Sequence, residues 1–250
     1  MNNLGVQSLI AYATKRNIVD ESSTRAAVGL IARTESGLDE TARMVRAVGS
    51  EALVLPVDVT DQSRPPQVIH TIESRFGSVD ILVNNAGVLG LGSIATVDPT
   101  AWWNTFEVNV RAPMLWVQAV LPGMLSRKQG RIINVTSEGA KMTLPNGSAY
   151  IASKAALSRM TAVLDTEVRD QGVLVFAFGP KASTAMTDEL GSSTALTEQQ
   201  REWFRAAAAS DPDGRLARSL TLFAELLSGR LDHLAGRHLE SEYPIESQVG

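Results

Sequence analysis

The sequence predicts an α/β chain with a doubly wound parallel sheet, and three observations carry that prediction. Short apolar runs alternate with longer amphipathic ones, the pattern of strands joined by crossover helices. The apolar runs, such as VGLIA at 28–32 and VLVFAF at 173–178, are continuous rather than alternating, as strands buried on both faces require. No repeat, low-complexity tract or linker divides the chain, so residues 1–250 read as one domain with an atypical stretch at 1–27.

The elements follow in order. Val28–Ala32 reads as a strand, Glu35–Val48 as a helix closed by Gly49, and Ala52–Val57 as the next strand. Pro65–Phe76 reads as a helix, since Pro65 and Pro66 suit only a first turn and Gly77 follows its end. Ile81–Val83 is a short buried strand. Asp98-Pro99 marks a helix start, an N-cap followed by proline at the first helical position. That helix runs to about Pro122 and continues as a short turn to Lys128. Arg131–Val135 is a strand, Ser148–Arg169 a long helix, Val173–Phe178 a strand, Leu216–Leu227 a helix and Arg237–Glu240 a last strand.

The first 27 residues fit this scheme poorly. A doubly wound fold wants a strand, a glycine turn and a helix before Val28. Only Leu9–Tyr12 is apolar enough to belong to an element, and Arg16–Thr24 reads as loop or frayed helix. The first strand and its glycine turn are therefore expected to be degenerate.

Composition narrows the function. Hydrophobic residues make up 44% of the chain and charged ones 20%, with formal net charge −4. That balance lacks the basic excess of a nucleic-acid binder. With no cysteine, disulfides and thiolate metal sites are excluded. The histidines His70, His233 and His238 are scattered without metal-ligand spacing. No apolar run approaches the ~20 residues of a membrane span, and Met1–Gln7 lacks a signal-peptide pattern. The chain reads as soluble and cytoplasmic, with no nucleic acid, membrane or metal partner.

The residues that carry chemistry lie in the middle of the chain. Tyr150 and Lys154 are four apart on a helix and share a face. An ammonium beside a phenol favours phenolate, which tunes Tyr150 toward acid–base work. Ser137 lies just past the strand Arg131–Val135, at the carboxyl end where open α/β sheets bind ligands. A hydroxyl there can hold a carbonyl oxygen that Tyr150 protonates.

The run GRIINVTSEGAKMTLPNGSAYIASKAAL, residues 130–157, resembles the active-site segment of the short-chain dehydrogenases/reductases, a Rossmann-like family. Other motifs of that family recur in order. Asp58-Val59-Thr60 matches its adenine-contacting acidic residue, Asn84-Asn85-Ala86-Gly87 its Asn-Asn-Ala-Gly motif, Asn109 its relay asparagine, and Pro180 the loop that reaches the nicotinamide. The resemblance implies hydride exchange between a nicotinamide cofactor and a small-molecule carbonyl or alcohol. It makes Tyr150 the acid or base, Lys154 the group that lowers its pKa and holds the ribose, Ser137 the brace of the substrate oxygen, and Asn109 the support of a relay water. It also implies cofactor contacts at Asp58, Val59, Asn85, Ala86, Gly87, Tyr150, Lys154 and Pro180. The helices Thr100–Leu121 and Ser148–Arg169 would pair across a two-fold axis into a homodimer or homotetramer.

Arg33, after the second strand, suits the 2′-phosphate of NADP, whereas NAD-preferring members place an acid there. The family's Thr-Gly-x-x-x-Gly-x-Gly turn should fall near Gln7–Thr14, and QSLIAYAT contains no glycine. Lys15 and Arg16 could offer charge, though not a preformed nest. The family's Pro-Gly after the sixth strand is Pro180-Lys181 here. Two explanations stand for residues 1–27, a divergent segment and a misread one. Two functions stand with them: an NADP-preferring carbonyl reductase or alcohol dehydrogenase, and an impaired subunit or binding protein on the same fold. Met142, Leu144, Met186 and Trp203 are candidates for an apolar substrate pocket.

Overall fold

The computed structural model describes residues 9–14, 26–181 and 185–241. They build a seven-stranded sheet of β1 (Leu9–Thr14), β2 (Ala26–Ala32), β3 (Glu51–Pro56), β4 (Ile81–Asn84), β5 (Gly130–Val135), β6 (Val173–Gly179) and β7 (His238–Glu240), in the order β3-β2-β1-β4-β5-β6-β7. The helices are α1 (Ser36–Ala47), α2 (Pro65–Phe76), α3 (Pro99–Phe106), α4 (Ala112–Arg127), α5 (Ser148–Val168), α6 (Ala185–Ser192), α7 (Glu198–Ala209) and α8 (Pro212–Ser228). The Rossmann-like α/β architecture is thus as expected.

Strand alternation distributes the core between two faces. Ile31, Leu82, Ile132 and Val175 point to one face, where they pack with Ile72 of α2, Trp116 of α4 and Val168 of α5. Val83, Ile133, Phe176 and Phe178 point to the other, against Leu222 and Leu226 of α8. Val28 and Leu30 meet Leu38 and Ala42 of α1. Both faces are covered, which is why these strands read as unbroken apolar runs.

β1 departs from a purely parallel sheet. It fills the slot between β2 and β4 but runs antiparallel to both, with Leu9 opposite Ile31, Thr14 opposite Ala26 and Ile10 opposite Val83. The run Leu9–Tyr12, read only as part of some element, lies in this strand, which runs against the direction a first parallel strand would take. An antiparallel neighbour can complete the ladder as well as a parallel one, so the sheet closes without a βαβ unit at this point. Gln7, Lys15, Arg16 and the Arg16–Thr24 segment lie outside the described residues.

Two helical regions differ from expectation. The helix opened by Asp98, whose side chain accepts from Ala101 N at 2.9 Å, passes through a π-helical turn at Glu107–Arg111 and then runs unbroken to Arg127. Pro122 does not end it. The carbonyl that proline leaves unpaired belongs to Gln118, an exposed residue, so water can satisfy it. Between β6 and α8, α6 and α7 stand where no helix was expected. The start of α7 carries a capping box, Thr197 and Gln200 bonding reciprocally, and Thr-x-x-Gln is a sequence-level helix signal.

Candidate active site

Parallel pairing brings the ends of β4 and β5 level, Asn84 beside Asn134. The loops beyond them carry the chemistry. Ser137 follows β5 and caps a short 3₁₀ turn, Glu138–Lys141. Tyr150 and Lys154 occupy the first turns of α5, which Trp102 Nε1 anchors by donating to Ser148 Oγ at 3.0 Å.

Ser137 Oγ accepts from Gly139 N at 3.0 Å and stands beside the Tyr150 ring, close enough to act on the phenol. A Cβ at Gly139 would stand 3.1 Å from both Ser137 Oγ and Tyr150 Cε1. Any side chain there would press on the pair, so Gly139 belongs to the site through close approach. Nothing in the sequence reading singles it out; its place two residues after Ser137 was the available signal.

Lys154 is 3% exposed, and its Nζ donates to Val135 O at 2.9 Å. Burial lowers its pKa to about 8. Tyr150 is also buried, and desolvation holds its phenol above the ordinary value, with the Ser137 hydrogen bond acting in the opposite sense. The lowering expected from Lys154 does not set the phenol's pKa in this geometry. Nζ is 5.9 Å from the ring centre and is aimed at a backbone carbonyl.

Asn109 lies in the π-helical turn and is fully buried. Its Oδ1 accepts from Val88 N at 2.9 Å, and its Nδ2 donates to Val88 O at 3.0 Å and Ser153 Oγ at 2.9 Å. Both amide hydrogens are therefore engaged by protein.

The residues expected to meet a cofactor divide into two groups. At the inner end, a Cβ on Gly87 would lie 3.4 Å from both Lys154 Nζ and Asn109 Oδ1. Bare backbone thus faces the ammonium, a cradle suited to a nicotinamide ribose; Ala86 beside it is buried and Asn85 half-buried. At the outer end, Arg33 is exposed past β2, Asp58 is exposed past β3, and Pro180 is exposed past β6. Asp58 Oδ1 accepts from Thr60 N at 2.9 Å and Thr60 Oγ1 at 2.7 Å. Val59 is buried, its carbonyl taken by Trp116 Nε1 at 3.1 Å. A pyrophosphate cradle between these ends has no counterpart among the described residues. It needs a strand that ends at the carboxyl edge and enters a helix through glycines, and β1 ends at the opposite edge, beside Ala26.

Residues 5–195 match the short chain dehydrogenase family model. A short chain dehydrogenase of Pseudocercospora fijiensis is 35% identical over 229 residues, covering 88% of this chain and 73% of that protein. The chain belongs to the short-chain dehydrogenase family. Family membership makes it an oxidoreductase of the CH–OH/C=O class. Among solved structures, a gluconate 5-dehydrogenase from Burkholderia cenocepacia in complex with NADP and tartrate is 25% identical, with TM-score 0.72 over 85% of this chain and 82% of that one. NAD+-bound xylitol dehydrogenase, 21% identical, shares the fold with TM-score 0.76 over 86% of this chain and 87% of its own.

Around the phenol of this dehydrogenase, Leu89, Leu190 and Leu196 form a buried apolar cluster with Tyr150, and Leu144, Ile151 and Met186 pack on it. Of the pocket candidates, Leu144 and Met186 therefore reach the site. Trp203 is 55% exposed and stacks edge-on with Phe204, and Met142 stands outside the cluster.

Lys154→Met should stabilise the fold near neutral pH. The native pKa of about 8 lies below the ordinary 10.5, so below pH 8 the native state holds a buried charge at a cost of at most about 3 kcal/mol. Between these two values the native state releases its proton first, and the cost fades. Urea unfolding should show the variant's advantage at pH 7 and its shrinkage toward pH 10. Equal stability at pH 7 would show that the Val135 carbonyl compensates the burial fully.

Proposed function

We propose that this dehydrogenase interconverts a carbonyl compound and its alcohol with NADP, on one domain, through Ser137, Tyr150, Lys154 and Asn109. The observation that carries the reading is the close approach of Ser137 and Tyr150 around Gly139, beside a buried Lys154 at the carboxyl edge. A substrate oxygen placed against both hydroxyls would accept from Ser137 and take the phenolic proton of Tyr150. The raised phenol pKa keeps that proton in place at neutral pH, which suits a donor to a developing alkoxide. Lys154, charged below about pH 8, faces the ribose cradle at Gly87. The bound cofactor supplies the hydride. Asn109 acts by holding the Gly87 loop against α5. The apolar wall of Leu89, Leu144, Ile151 and Met186 favours a substrate with an apolar body and excludes competing water.

NADP is favoured over NAD by Arg33, since a guanidinium suits a phosphate and Ala32 stands at the strand end where NAD-preferring members carry an acid. Solved relatives with either cofactor share the fold, so the preference rests on that residue. A second reading, a subunit impaired in cofactor binding, is favoured by the reversed β1.

Three outcomes follow. Fluorescence titration should give an NADPH Kd above the micromolar range, weaker than about −8 kcal/mol. Submicromolar binding would require a phosphate site that the described residues do not provide. In a carbonyl-reduction assay Tyr150→Phe should abolish turnover while Kd for NADPH changes little; full activity in the variant would remove Tyr150 from its role. Assembly is the third. Trp116 is fully buried, but Trp103 is 60% exposed, and it packs on a Trp102–Phe106 stack with ring centres 4.9 Å apart. Such exposed apolar surface marks interfaces, so sedimentation equilibrium should show a homodimer or homotetramer at micromolar concentration, and Trp103→Glu should weaken it. A stable wild-type monomer of 26.8 kDa would contradict this.

A further inference from the structure

The Ser137 turn is tied down from the edge of the sheet. Thr136, buried and immediately before Ser137, places Oγ1 3.1 Å from His238 Nε2. The other ring nitrogen of His238 lies 3.2 Å from Ser158 Oγ of α5, so the imidazole is fixed at both ends. At the far end of the turn, Lys141 Nζ meets Glu240 Oε1 at 2.9 Å. Between them, Lys181 Nζ pairs with Glu138 Oε2 at 2.9 Å.

Two of these ties start on β7, a strand of three residues. An independent observation shows that the contact is built in. Gly179 of β6 lies under both side chains, and a Cβ there would stand 3.0 Å from His238 Nε2 and 3.2 Å from Glu240 Cγ. A side chain at 179 would lift both residues off the turn. Glu240 is 4% exposed, so its charge is held where water cannot compete well for Lys141. Burial also keeps His238 below the usual imidazole pKa, which leaves a neutral ring with one donor and one acceptor for its two hydroxyl partners.

We infer that His238 and Glu240 are positioning residues, which hold the Thr136–Lys141 segment so that Ser137 Oγ stays against Tyr150. They touch neither the reacting atoms nor the phenol and act through Thr136 and Lys141. The inference rests on the proposed role of the Ser137–Tyr150 pair.

The test uses the full chain without cofactor. Tyrosine labelled with carbon-13 gives resonances for the three tyrosines, and Tyr150→Phe assigns the one of interest. Its phenolic carbon senses a neighbouring Ser137 hydroxyl, so Ser137→Ala supplies the reference for a lost contact. Lys141→Met cuts one tie from the exposed side, where folding is little at risk; His238→Phe cuts the other, and Glu240→Gln weakens the first from within. Each should move the Tyr150 resonance toward the Ser137→Ala position, and Lys141→Arg should restore it. If Ser137→Ala moves the resonance and all three variants leave it unmoved, the positioning role is overturned. If Ser137→Ala itself moves nothing, the reading of the pair fails, and the inference fails with it.

Discussion

The carboxyl edge of this molecule depends on one buried carboxamide. Asn109 bonds Val88 through both its oxygen and its nitrogen and uses its second hydrogen on Ser153. It thereby locks the Gly87 loop to α5 one residue before Lys154. Ser153 Oγ passes the constraint on by donating to Tyr150 O at 2.8 Å. A fully satisfied buried network of this kind fixes geometry, because any displacement leaves a polar group unpaired in a low-dielectric interior. The π-helical turn is the local cost of the arrangement. A regular α-helical register through Glu107–Arg111 would carry Asn109 around the helix axis, away from Val88.

A second amide relay lies deeper. Asn84 Nδ2 donates to Asn134 Oδ1 at 2.8 Å, and Asn134 Nδ2 donates to Thr161 Oγ1 at 2.9 Å. It links β4, β5 and α5 below the site, so the strand ends stay level and α5 keeps its angle. The two networks together explain how Lys154 can be held inside the protein with a backbone carbonyl as partner. The geometry on which the proposed proton transfer depends is held by contacts within the protein. What the described residues lack is the phosphate half of the cofactor site, because the direction of β1 removes the turn that would build it.

Much of this was legible in the sequence, and the gaps have physical causes. Pro65–Phe76 and the Asp98 cap were readable to the residue, because proline and aspartate act locally. The Ser137, Tyr150 and Lys154 positions follow from spacing once strand and helix are placed. The direction of β1 was not readable, since a short apolar run has the same pattern in either sense; only its connections orient it. The helix α7 was missed because exposed Glu, Arg and Ala residues give no apolar stripe, although Thr197 and Gln200 announced a cap, and α6 because it is only eight residues long and contains Gly191. The pKa of Tyr150 was misjudged because spacing shows which charges are near and not how deeply a ring is buried. Gly139 escaped notice because its role is a gap of a few ångströms between two side chains.

The claim that the site is assembled without cofactor is tested most directly by amide hydrogen exchange at Val88 in the free protein. Its N–H is held by Asn109 Oδ1, a side-chain acceptor in a loop, rather than by a strand partner. The account predicts slow exchange in the unliganded wild type and fast exchange at Val88 in Asn109→Ala, with the core of β5 still protected. Fast exchange at Val88 in the free wild type, with β5 protected, would contradict it and show that the carboxyl edge is not preorganised.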